Sequence, residues 1–154
     1  MPSAYIDGLK MLGRRELSEK QVRQRLARKA YDQDEIDEAV ARLREERAIN
    51  DQRVAEAIVR METGIRKRGK VRVRMQLERA GIAKETAKTV IDSVFEAIDD
   101  AALLESALRK RLRGRTTIAD EREFARLFRY LIGQGFESDR IMQALRAKAK
   151  PRSE

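Results

Sequence analysis

"RYLIGQGFESDRI", Arg129 to Ile141, carries an apolar run into a Gly-Phe pair and then resumes at once with acidic and apolar residues. The pair reads as a helix ending. Gly135 can take the left-handed conformation just past a helix without steric penalty, and Phe136 can fold back on the last turn around Leu131. The same punctuation occurs twice upstream. "RMQLERAGIAKETA" sets Gly81-Ile82 after Leu77, and "VRQRLARKAYDQDEI" sets Ala30-Tyr31 after Leu26, each with a large apolar residue five positions beyond the leucine.

Aligning these marks gives offsets of 51 and 54 residues. Val22, Val73 and Leu127 then correspond, as do Leu26, Leu77 and Leu131; Tyr31, Ile82 and Phe136; Ile36, Ala87 and Ile141; and Val40, Ile91 and Leu145. Within each copy the apolar positions fall at helical spacing on both sides of the mark. A second signature opens the next helix: "INDQRV" and "IDDAAL" place Asn50 and Asp99 as N-caps, with Ile49 and Val54, or Ile98 and Leu103, as hydrophobic staples. Ser18 with Gln21 and Asp120 with Glu123 have capping-box spacing, Gly69 is the weaker counterpart, and Ser138 reads as another cap. The expected fold is all-α: three tandem three-helix repeats over residues 1–49, 50–98 and 99–150, forming an elongated array. The strand-like "KVRVRM" fits a helix face once it is aligned with its copies at Val22 and Leu127.

Charged residues make up 40% of the 154 and aromatics 5%, so much of the chain must be surface, while 42% hydrophobic residues in periodic arrangement argue against disorder throughout. The only prolines, Pro2 and Pro151, lie near the termini and interrupt no helix. The N-terminus "MPSAYIDGLK" lacks a basic-then-apolar leader, no apolar run approaches the ~20 residues of a membrane span, and Cys is absent; a cytoplasmic location without membrane contact is expected. The net charge of +9 is uneven, with 0 over residues 1–51, +3 over 52–100 and +6 over 101–154, which favours a polyanion or an acidic protein as partner.

Histidine is absent along with cysteine, and the carboxylates sit at helix starts or beside Lys and Arg. No nucleophile has a visible activating partner, so no catalytic residue, metal ligand or cofactor site is expected. "GIRKRGKV", Gly64 to Val71, has the spacing of a phosphate-binding loop, but Val71 replaces the magnesium-holding Ser or Thr and no buried strand precedes it; an interhelical turn with a basic surface is the better account. That surface is the candidate site. Arg66, Lys67, Arg68, Lys70, Arg72 and Arg74 form one run without acids, Arg109, Lys110, Arg111, Arg113 and Arg115 form another, and Arg14 with Arg15 mark the equivalent place in the first copy. Recurring at one place in an array, they would line one side, suited to a phosphate backbone or an acidic filament groove; the bland alternative is a solvated face that keeps the protein soluble. Aromatics are not interleaved with the runs, and the helices after each turn are neutral to acidic. Base stacking and major-groove readout are both disfavoured.

Four motifs in order resemble the RecX regulators of the RecA recombinase, over about residues 4 to 149. "RRELSEKQVRQRL" is similar to the family's R-x-R-S-x-x-E-L-x-x-K-L and "INDQRVAEAIVR" to its D-D-x-x-[FY]-A. "RKRGKVRVRMQLERAGI" is similar to K-x-G-x-x-x-I-x-x-x-L-x-x-K-G-I, and "RYLIGQGFESDRI" to Y-L-x-x-R-G-F. The chain departs from the pattern with Ala30 for a glycine, Asn50 for the first Asp, Val54 for the aromatic and Gln134 for an arginine. The resemblance implies a non-enzymatic modulator in recombination, DNA repair and the SOS response, and a monomer is expected. It implies a curved array lying in the groove of the RecA filament on single-stranded DNA, inhibiting ATPase, strand exchange and coprotease activity by blocking filament extension or promoting disassembly. Contacts to single-stranded or duplex DNA would be to the backbone. The alternative from another class is a stand-alone, sequence-neutral DNA-binding protein.

Overall fold

A computed structural model describes residues 3–149; Pro2, Pro151 and position 150, the last of the third expected repeat, lie outside the described residues. Among the described residues there are nine α-helices and no β-strand: α1 (Ala4–Arg14), α2 (Glu19–Arg28), α3 (Gln33–Glu45), α4 (Asp51–Arg60), α5 (Lys70–Arg79), α6 (Lys84–Ala97), α7 (Asp100–Leu112), α8 (Glu121–Gly133) and α9 (Ser138–Lys148). They fall into three triplets in chain order. One turn of π-helix, Met61–Ile65, extends α4.

The three punctuation marks are one backbone motif. Tyr31, Ile82 and Phe136 each donate their amide to the carbonyl five residues back, on Leu26, Leu77 and Leu131, at 3.4, 3.0 and 3.2 Å. The residue before each has positive φ: Ala30 at 68°, Gly81 at 82° and Gly135 at 96°. Glycine accepts this freely, whereas alanine carries roughly 1 kcal/mol of strain. All the aligned apolar positions are buried except Tyr31, which is half-buried and donates its hydroxyl to Asp7. At ~1.5–3 kcal/mol for each large aliphatic side chain removed from water, these repeated positions supply a substantial share of the favourable term.

The caps follow the side chains available. Ser18 makes a complete capping box with Gln21, and Asn50, Asp99 and Asp120 accept amides from the first turns of α4, α7 and α8. Glu123 departs from the box at Asp120: it reaches the amide of Ala119, one residue further back, at 3.0 Å. Ser138 is not a cap. It is the first residue of α9, preceded by Glu137, whose extended backbone starts the helix without a side-chain cap bond.

The chain forms two compact units. The first contains the residues up to Ile58 together with Gln76–Val90, and the second Val59–Met75 together with the chain from Ile91 onward. In the first, α1 packs mainly on α3, and α2 closes on both around Leu26, Val40 and Leu43. In the second, α7, α8 and α9 pack on one another around Leu108, Leu131, Ile141 and Leu145. The loop before α8 is tied to the end of α9 by the Ile118 amide on the Lys148 carbonyl at 2.9 Å.

Each unit contains one joint between successive triplets. In the first, the Ser18 hydroxyl at the start of α2 donates to the Ala80 carbonyl, and the Glu19 amide donates to Asp51 at 2.9 Å. In the second, the equivalent start of α5 carries no side chain. Gly69 and Val71 donate their amides to the carbonyls of Gln134 and Gly135 at 2.9 and 3.1 Å. A Cβ on Gly69 would lie 2.5 Å from the Gly135 oxygen, and one on Gly135 2.3 Å from the Arg72 nitrogen, so two glycines allow backbone to meet backbone. The turn of one triplet thus seats on the middle-helix start of the triplet before it, twice.

Candidate functional site

The candidate cations cluster where the first helix of each triplet ends and the second begins. Arg14 closes α1 and Arg15 follows it, both exposed. Arg109, Lys110 and Arg111 occupy the last turn of α7, where the helix dipole favours positive charge, and Arg113 follows in the left-handed conformation at φ 51°. Arg66 and Lys67 follow the π-turn, Lys67 at φ 55°, and Arg68 leads into Gly69. Lys70, Arg72 and Arg74 lie on α5 itself.

The structure divides these residues into paired and unpaired groups. Glu62, buried by the wider π-turn to 4% exposure, lies 3.1 Å from Arg66 and 3.6 Å from Arg68. The π-turn is defined by the Arg66 amide reaching the Met61 carbonyl, five residues back, at 3.2 Å. Lys70 lies 3.9 Å from Asp100, which is also 3.7 Å from Arg140. Arg115 grips Glu123 with both terminal nitrogens at 2.8 and 2.7 Å. This bidentate bond, helped by the Ala119 amide, holds the Glu123 carboxyl down at about 2. Runs that are free of acids in the sequence therefore acquire them from flanking residues, Glu62 and Glu123, and from Asp100 on another helix.

The Arg111 guanidinium lies over the Tyr130 ring, 3.8 Å from its centroid, a cation–π contact rather than an ion pair. Arg14, Arg15, Lys67, Arg74, Arg109, Lys110 and Arg113 are exposed and have no carboxylate within ion-pair distance among the described residues. Arg72 is half-buried with an unpartnered Nε. Sequence reasoning missed Glu62 as the anchor of two candidates, although its spacing of four from Arg66 is a helical ion-pair signal. Nothing local marks Asp100 and Arg140 as partners.

The amides that would cradle a phosphate in the Gly64–Val71 segment are engaged by protein carbonyls: those of Gly69 and Val71 face Gln134 and Gly135, and that of Arg68 faces Glu62. The phosphate-loop reading fails on this geometry. Among the described residues no cluster of acidic side chains could hold a metal ion, and no helix is long and apolar enough to cross a membrane.

Two family models match the chain: the first three-helix domain of RecX over residues 4–43 and the second over residues 50–91. The chain belongs to the RecX family. A relative named regulatory protein RecX from Syntrophotalea carbinolica is 30% identical over 141 residues, covering 91% of this chain and 92% of its own. The protein of the same name from Halorhodospira halophila is 33% identical over 140 residues, covering 90% and 84%. The crystal structure of RecX from Lactobacillus salivarius superposes with a TM-score of 0.78 at 21% identity, over 94% of this chain and 95% of that one. The shared RecX fold is the all-helical array of three-helix domains, and the family is one of regulatory proteins.

Proposed function

We propose that the protein binds the RecA filament on single-stranded DNA and inhibits the recombinase, restraining ATPase, strand exchange and coprotease activity by occupying the filament groove. In this reading the repeats are residues 1–49, 50–98 and 99–150, acting together as a monomer in the cytoplasm without chemistry of its own. RecX membership carries this reading, and the unpaired cations at the helix junctions support it, because a filament presents both nucleic-acid phosphates and a protein surface. The helices, 10 to 14 residues long, are each about 15–21 Å in length.

The paired cations make poor test positions: reversing Arg66 or Arg68 would strand buried Glu62, and reversing Lys70 would disturb Asp100. Lys67→Glu, Arg74→Glu, Arg109→Glu and Lys110→Glu together change only exposed, unpaired charges. With the protein titrated into RecA ATPase on single-stranded DNA, the wild type is expected to inhibit and the fourfold variant to need on the order of tenfold more protein, at unchanged helical content. Equal inhibition by both would remove the cations from the mechanism. Stronger binding to bare than to RecA-coated DNA, with a steep salt slope, would favour a stand-alone DNA-binding protein.

A further inference from the structure

We propose that Val71 and Met75 of α5, with Ile132 of α8, form a docking surface for a protein partner whose own contact patch is apolar and ringed by carboxylates. Val71 and Met75 are one helical turn apart on the same side of α5 and are 43% and 42% exposed. Ile132, 43% exposed, stands in the last turn of α8, and its carbonyl accepts the Gly135 amide at 3.0 Å. The carbonyl of that same Gly135 holds the Val71 amide, so the second joint ties the turn bearing Ile132 to the start of α5.

The duplicated joint provides an internal control. By the repeat offsets, the first joint carries Lys20, Gln24 and Glu78 at the corresponding positions, all exposed. The fold is therefore satisfied by polar side chains at these three places, and their apolar character in the second joint needs a cause outside folding. The rim indicates which one. Arg74 lies on the same exposed side of α5 and Arg129 one turn before Ile132 on α8; both are exposed and lack a carboxylate partner among the described residues. A second copy of the chain would oppose these cations with its own at a net charge of +9. Nucleic acid would use the arginines but gain little from Val, Met and Ile, which offer no ring for a base to stack on. An apolar centre inside a cationic rim fits an acidic-rimmed protein surface.

The inference rests on the filament reading above and deepens it, naming the protein component of the filament as what this surface grips. The test exchanges one joint's residues for the other's. Val71→Lys, Met75→Gln and Ile132→Glu together leave the net charge unchanged. Wild type and variant are compared for affinity to RecA-coated and to bare single-stranded DNA, with thermal unfolding as a fold control. The variant is expected to bind the coated strand roughly tenfold to a hundredfold more weakly and the bare strand equally well. Unchanged affinity for the coated strand overturns the docking surface alone. A parallel loss on bare DNA overturns it in favour of a nucleic-acid contact. If the wild type does not engage the coated strand, the filament reading fails and takes this inference with it. A salt titration of the wild type decides the matter even if the variant folds poorly: apolar docking predicts residual affinity for the coated strand where bare-DNA binding is lost, and identical salt slopes overturn it.

Discussion

In the first joint the start of α2 is held by the Ser18 hydroxyl on the Ala80 carbonyl, whereas in the second the start of α5 has no side chain and bonds through its backbone to Gln134 and Gly135. The two share a plan and differ in how closely the chains approach. A serine keeps the main chains a side chain apart and supplies its own cap. A glycine brings them into direct contact, and the carbonyls of the next triplet become the cap. The neighbours of the turn glycines show the same contrast. A Cβ on Gly81 would meet the Lys20 side chain, at 2.5 Å from Cδ, while a Cβ on Gly135 would meet backbone. The outer stem of Lys20 can swing aside, leaving its Cβ at 2.6 Å to be cleared, whereas at Gly135 the helix start itself stands in the way.

That difference predicts unequal tolerance. Gly135→Ala should destabilise the second unit by about 2–4 kcal/mol, combining strain at positive φ with displacement of α5, while Gly81→Ala should cost less, about 1–2 kcal/mol. Chemical denaturation of both variants measures the gap, and equal losses would mean that the backbone contact is slack. Next in size, Ser18→Ala removes the cap of α2 and leaves the Ala80 carbonyl without its hydroxyl; a loss of about 2 kcal/mol is expected by the same measurement. A loss of a few tenths would show that the turn holds its place without the serine.

The smallest effect concerns α8, the third middle helix, whose start is held by Asp120 and by Glu123 rather than by a following turn. The Arg115 bond and the Ala119 amide lower the Glu123 carboxyl from an ordinary 4.5 to about 2. A carboxyl with a depressed folded-state value stabilises the fold fully above 4.5 and loses that contribution as pH falls toward about 2. Thermal unfolding between those limits should therefore fall more steeply with acid in the wild type than in Glu123→Gln. Parallel slopes would mean that Glu123 carries no part of the acid response.

Much of the fold was legible because its determinants are local. The positive-φ turns, the helical spacing of the core and the caps at Ser18, Asn50, Asp99 and Asp120 all involve residues within five positions of one another. Ser138 shows the limit of that logic: a residue type suited to capping does not cap when the chain enters the helix one position earlier. The candidate site was legible as composition and not as pairing. Asp100 lies thirty positions from Lys70 and forty from Arg140, and only tertiary structure joins them. The meeting of Gly69 with Gly135 is of the same kind, since a glycine in sequence announces freedom but not which backbone will use the space.

Ala30 follows from the way the joints run. Gly81 and Gly135 each face the middle-helix start of the preceding triplet, whereas Ala30 is exposed. A methyl group there meets torsional resistance without collision. A turn that clasps a neighbouring helix start is thereby held to glycine, while one that looks into solvent is held only to a torsion angle.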